Sequence, residues 1–157
     1  MKYLFGLDPA TDRNINDYIE LYRGHYGQQV RSAEEVVDLL RQFHGNRILS
    51  HFSCAKLVSG EPVAAMGVIL NRQEDGDVYV FSHLVTHTDH RQKGLAKNVI
   101  TYGARMLMAL NPLRIHNHKR MNVIPQRYFE ELGFVEKEIS LEEMPEYRWV
   151  YTWDNPN

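Results

Sequence analysis

The sequence holds a single cysteine in 157 residues. Cys54 cannot close an internal disulfide, so the reducing cytoplasm is the expected compartment. It lies in the alternating run His51-Phe52-Ser53-Cys54-Ala55, where a lone half-buried thiol reads as packing before it reads as a nucleophile. No run reaches the ~18 apolar residues of a membrane span. The first eight residues, Met1 to Asp8, are too short and too soon acidic for a signal peptide. Positive charge is not in excess: 18 Lys and Arg face 20 Asp and Glu, a net charge of -2. That argues against a broad nucleic-acid surface, though not against a local basic patch. The chain also lacks a Walker A loop, a Gly-x-Gly-x-x-Gly motif, internal repeats and any linker-like tract.

What remains is the composition of one ordinary globular domain over residues 1–157, with 43% hydrophobic residues. Residues 2–7 read as a strand. Ile15, Tyr18, Ile19 and Tyr22 mark a helix over about 14–24. Ser32-Ala33-Glu34-Glu35 fits a capping box that opens a second helix, with Val36, Val37, Leu39, Leu40 and Phe43 at helical spacing and Gly45 as its stop. Residues 47–58 and 62–70 read as a hairpin around Ser59-Gly60-Glu61-Pro62, and 77–87 as a further strand. A helix over about 94–110 follows, with Leu95, Val99, Tyr102, Met106, Leu107 and Leu110 as its inner stripe, ended by Asn111-Pro112. A strand at 113–118, a short helix from Pro125 to Leu132 and strands at 134–140 and 147–153 complete the chain. This order predicts an α/β fold: a mixed, mostly antiparallel sheet of six or seven strands around a central parallel β-α-β unit, flanked by about four helices. Ligands of such sheets bind beyond the carboxyl ends of the parallel strands.

The most informative stretch is His90-Arg91-Gln92-Lys93-Gly94-Leu95-Ala96-Lys97. It lies where a strand has ended and a helix begins. The first backbone N–H groups of a helix have no internal partner, and the helix dipole adds partial positive charge, so a pyrophosphate fits there. Gly94 permits close backbone approach, Ala96 permits close helix packing, and Arg91, Lys93 and Lys97 supply cations.

This stretch resembles the signature of the GNAT acetyltransferases, Arg/Gln-x-x-Gly-x-Gly/Ala, as Arg91-x-x-Gly94-x-Ala96. A second signature, Asn-x-x-Ala followed by Tyr-x-x-x-Gly-Phe, is similar to Asn122-Val123-Ile124-Pro125 followed by Phe129-Glu130-Glu131-Leu132-Gly133-Phe134. The resemblance implies the GNAT fold with splayed parallel strands. It implies acetyl-CoA as co-substrate, held by Arg91, Gln92, Lys93, Gly94, Leu95, Ala96 and Lys97 at the pyrophosphate. It further implies contacts from Leu84, Val85 and Thr86 on a free strand edge, and from Asn122 and Phe129. The implied reaction is direct acyl transfer to an unidentified amine in a ternary complex. Three alternatives stay open: a coenzyme A-binding protein without transfer activity, an acyltransferase for a nucleic-acid-linked amine, and an interaction protein on the same fold.

The chain departs from the family at one telling place. Many members carry a tyrosine four residues before the Gly-Phe, as proton donor to the leaving thiolate. Here Phe129 holds that position and Tyr128 precedes it, a rotation of ~100° on a helix. Tyr128 is therefore either the acid by local distortion or a packing residue. A general base is wanted near the thioester, and His83, with Ser82 beside it, is the candidate, water being the other. His83, His87 and His90 lie close in sequence, and His116 and His118 share one strand face, yet no tight ligand spacing exists, so no metal is expected. His116 and His118 are expected to line the acceptor cleft or its rim. Glu136-Lys137-Glu138 and Leu141-Glu142-Glu143 read as solvated surface. Tyr147, Trp149, Tyr151 and Trp153 alternate as one strand face packed on the core or on a partner subunit, which would allow a homodimer.

Overall fold

A computed structural model of the protein describes residues 2–118, 125–138 and 149–157. Its strands are β1 (Leu4–Pro9), β2 (Ile48–Lys56), β3 (Pro62–Gln73), β4 (Gly76–Thr86), β5 (Arg114–His118), β6 (Val135–Glu138) and β7 (Trp149–Asp154). They form one sheet in the order β1-β2-β3-β4-β5-β7-β6. Every neighbouring pair is antiparallel except β4 and β5, which are parallel. The helices are α1 (Asp12–Ile15), α2 (Ile19–Tyr26), α3 (Ala33–Arg41), α4 (Leu95–Ala109) and α5 (Gln126–Glu130).

Alternation along the strands splits the core in two. One face carries Phe52, Cys54, Ala65, Ile69 and Val80 against Ile15, Tyr18, Tyr22, Val36 and Leu40 of the first three helices. The other carries Met66, Val68, Tyr79, Phe81 and Ile115 against Leu95, Val99, Ile100, Ala104 and Leu107 of α4. Cys54 is fully buried in the first cluster and unpaired.

The local signals hold with informative exceptions. Ser32 caps α3 by accepting from Glu35 N, as the capping box requires, but the α-helix stops at Arg41 and residues 42–46 run on as turns. The helix expected over 14–24 is interrupted by a 3-10 turn at Asn16–Tyr18. Pro125 sits one place outside α5, as its N-cap with extended ψ. On α4 the expected stripe holds at Leu95, Val99 and Leu107, but Met106 and Leu110 are exposed, and Ile100, Gly103 and Ala104 join the buried face. The reason is close approach. A Cβ on Gly103 would stand 2.6 Å from Ser53 Oγ, which itself donates to Val99 O at 2.6 Å. The small residues Gly103 and Ala104 therefore let the helix lie close to the sheet. β7 is hydrogen-bonded on both sides, so the free edges of the sheet are β1 and β6. Tyr151 and Trp153 pack on the α4-side core.

Candidate active site

Two features of β4 create the site. Its pairing with β5 covers only Val78, Tyr79 and Val80, although β4 continues to Thr86. From Phe81 to Thr86 the edge toward β5 therefore has no strand partner among the described residues, and the two strands part. The register with β3 also slips between Ala65↔Val85 and Gly67↔Ser82, so two residues of β4, His83 and Leu84, face one of β3. This is a β-bulge, and His83 adopts a left-handed φ of 50° in it. The bulge reverses the side-chain alternation. Ser82 and His83 both lie on the α3 face, while Leu84 packs on the α4-side core and Val85 is buried on the α3 side.

On the α4 face the parting strands lead to the segment Arg91–Gly94. Gly94 is the N-cap of α4 with φ 71°, a conformation that favours glycine. A Cβ there would meet nothing within 4 Å, so the backbone borders open space. No side chain caps the helix and no acidic residue stands in its first turn. Its first N–H groups are thus available to an anion. Arg91, Gln92 and Lys93 are exposed around this point, and Gln92 also has positive φ. Arg91 Nε reaches Thr86 O at 3.5 Å. Lys97 is engaged with Glu131 at 3.4 Å and with the Tyr128 ring at 5.0 Å. Leu95 is buried in the core and Ala96 half-buried. Tyr3 and His90 Nδ1 lie 2.8 Å apart, which ties the loop to β1.

On the α3 face His83 is half-buried among rings. Phe43 lies parallel to it at 6.3 Å and Tyr26 edge-on at 5.5 Å. The Tyr22 hydroxyl donates to His83 O at 3.0 Å, which holds the bulge. Ser82 is buried, its Oγ 2.8 Å from Leu40 O and 2.6 Å from His83 Nδ1. A carbonyl only accepts, so the single hydroxyl hydrogen goes to Leu40 O and Ser82 accepts from Nδ1–H. His83 is thereby held as the tautomer with a bare Nε2. Burial, with a smaller contribution from His25, pushes its pKa down to about 4, so the ring is neutral at pH 7.

Further histidines gather beside it. His116 is half-buried and His118 buried on β5, and His44 lies with its ring 6.0 Å from that of His118. Burial lowers His44 to about 3 and His116 to about 4. Among the described residues no three His, Cys, Asp or Glu side chains converge to hold a metal ion.

The two motif aromatics sit on the α4 side. Phe129 is fully buried, stacked on Tyr151 at 4.8 Å and close to Phe134. Tyr128 is half-buried between the cations Lys97 and Arg127. Neither shares a face with Ser82 and His83; the parted strands separate them. Asn122, Leu141–Glu143 and Tyr147 lie outside the described residues, whereas Glu136–Glu138 form the exposed strand β6. Sequence reasoning did not single out Tyr22, Tyr26, His44 or Arg47. They belong to a helix stripe and a polar turn, and only the packing of α2 and α3 on the sheet brings them to β4.

The same overall fold occurs among solved N-acetyltransferases. A protein from Lactobacillus plantarum assigned as an N-acetyltransferase matches with a TM-score of 0.63 and 15% identity over 99% of both chains. Glucosamine-6-phosphate N-acetyltransferase from Arabidopsis thaliana matches at 0.59 and 15%, over 91% of this chain and 98% of that one. A GNAT acetyltransferase from Brucella melitensis, solved with acetyl-CoA, matches at 0.59 and 10%, over 98% and 90%. No curated protein sequence matches significantly. The model of the acetyltransferase (GNAT) family matches residues 15–134, and the chain belongs to that family. No helix among the described residues is long and apolar enough to cross a membrane.

Proposed function

We propose that the protein is an acetyl-CoA-dependent N-acyltransferase, a single GNAT domain acting in the cytoplasm by direct transfer to an amine. One observation carries this reading. The unpaired edge of β4 runs from beside the uncapped α4 N-terminus to the bulge where His83 stands on the opposite face. The residues fit the co-substrate: free helix N–H groups and exposed cations suit its pyrophosphate, and an unpaired strand edge suits the amides of its pantetheine arm.

Acetyl-CoA supplies an acyl group activated as a thioester. The chain supplies the rest. Gly94, Leu95 and Ala96 hold the pyrophosphate, with Arg91, Gln92 and Lys93 around it and Lys97 at the rim. Leu84, Val85 and Thr86 align the arm along β4, and backbone N–H groups beside the bulge polarise the carbonyl. His83 Nε2 accepts a hydrogen bond from the incoming amine and takes its proton transiently. A base this weak releases that proton quickly to water. Tyr128 packs beside Lys97, and Phe129 carries no hydroxyl, so the thiolate leaves without a strong protein acid.

Phe129 favours one second reading, a coenzyme A-binding protein that transfers nothing. A thermal-shift titration with acetyl-CoA and an amine panel, read by release of free thiol and by product mass, separates the two. Acyl transfer is expected to at least one amine, with stabilisation of ~2.7 kcal/mol at 100 times the Kd. Stabilisation with slow hydrolysis and no acetylated product supports the binding protein; no stabilisation removes both.

A further inference from the structure

His44 is 4% exposed, yet neither ring nitrogen has a hydrogen-bond partner. His116 Nδ1 is likewise buried and unpartnered. Leaving such groups buried and unpaired is destabilising. Orphans gathered in one place mark where a ligand completes the bonding. Arg47 stands next to them, close enough that its charge helps depress both His44 and His116. Among the described residues Arg47 has no ion-pair partner. Beside this cluster opens a cleft of about 390 Å³, lined by His44, Asn46, Arg47, Asn71 and Arg72 with two apolar residues. Its polar lining can donate at five places and includes no carboxylate. Among the described residues, Asp154, whose charge reaches His116, is already paired with Arg114 and Lys137, and Asp77 lies opposite Arg72 in the β3–β4 register.

We propose that His44, Arg47 and His116, with Asn46, Asn71 and Arg72 along the cleft, form a subsite for an anionic group, a carboxylate or a phosphate, carried by the acceptor amine. This rests on the acyltransferase reading and names its substrate class. The subsite adjoins the transfer point, because His44 lies within electrostatic range of His83 and its ring faces His118. An anion there accepts from the guanidinium and from the imidazole N–H groups, and it cancels the like-charge repulsion among them. A polycationic acceptor meets two guanidinium groups instead and is disfavoured.

The test pairs turnover with a readout that needs none. With acetyl-CoA fixed, kcat/KM is measured for an amino acid, an aminoalkyl phosphate, and their neutral amide and alcohol counterparts. At least one anionic member is expected to exceed its neutral counterpart tenfold or more, and which one does tells carboxylate from phosphate. Arg47→Gln should erase that preference through the acceptor KM and leave the acetyl-CoA KM unchanged, and Arg47→Lys should restore part of it. Separately, the ring signals of His44 and His116 are titrated by NMR with inorganic phosphate and with acetate. Their pKa values should rise with at least one of these anions in the wild type and not in Arg47→Gln. Equal turnover of anionic and neutral amines overturns the subsite. So do histidine titrations that neither anion changes. A histidine response without any amine turnover keeps the subsite and overturns the acyltransferase reading instead.

Discussion

On the α4 face the site is open. Arg91, Gln92, Lys93 and Gly94 are exposed, and what they offer is backbone N–H groups and exposed cations. On the α3 face Ser82 and His44 are buried, and His83 is packed between Phe43 and Tyr26. The first region suits a ligand by charge and geometry of one short segment. The second is assembled from α2, the turn after α3, β4 and β5. On the proposed reading the open region holds a common, highly charged group, and the closed one discriminates and moves a proton. Substitutions should therefore separate cleanly into effects on co-substrate binding and effects on transfer.

The largest effect is expected at the open end. Gly94→Glu sets a carboxylate at the helix N-terminus and forces a side chain onto φ 71°. Acetyl-CoA affinity should fall at least about 100-fold, equivalent to ~2.7 kcal/mol, while the circular dichroism spectrum is kept. Calorimetric titration reads this, and unchanged affinity removes the pyrophosphate from this loop.

At the closed end His83→Asn keeps a residue that tolerates the left-handed conformation and removes the proposed base. The expected loss is about 10²-fold in kcat, with the acetyl-CoA KM unchanged; general-base contributions start near this size. Unchanged kcat would leave the proton to water.

The buried histidines also predict acid sensitivity. Burial holds His83 and His116 at about 4 and His44 at about 3, against ~6.5 in the unfolded chain. Below pH 6.5 the unfolded state takes up protons that the folded state refuses. Stability present above pH 6.5 is lost as pH falls toward 4, at up to ~1.4 kcal/mol per pH unit for each histidine. Asp8, held below its ordinary value chiefly by Lys56 and Tyr18 against the cost of burial, adds its loss only at lower pH. Urea midpoints between pH 7.5 and 4.5 should fall accordingly, and His44→Gln should flatten the slope. A flat profile in the wild type contradicts these burials.

The smallest effect belongs to Tyr128→Phe, which should change kcat less than about threefold because the ring packs on Lys97. A loss of two orders would make Tyr128 the acid. Phe129→Tyr, by contrast, puts a hydroxyl into the stack with Tyr151 and should cost stability, about 1–3 kcal/mol if the group stays unbonded.

These regions also differ in how far their residues can be read from sequence. The segment 91–97 was legible because glycine, cations and a helix start lie within seven residues, and the cap at Ser32 was legible for the same reason. The face that carries His83 was not. Strict alternation along β4 puts Ser82 and His83 on opposite faces, and the bulge at His83–Leu84 puts them on one. His44 and Arg47 read as a polar turn after a helix. Their burial depends on β3, β4 and β5, which are distant in sequence. Phe129 and Tyr128 could be ordered on the helix but not aimed, since aim depends on where α5 meets β7.

On the proposed reading acetyl-CoA runs from the α4 N-terminus along the free edge of β4. Hydrogen–deuterium exchange of the wild-type protein, with and without saturating acetyl-CoA, tests it most directly. Two separate segments should gain protection together, Gly94–Lys97 and Leu84–Thr86, because each then donates to the co-substrate instead of to water. Binding that protects neither segment, or protects 94–97 while 84–86 exchanges as before, contradicts the path.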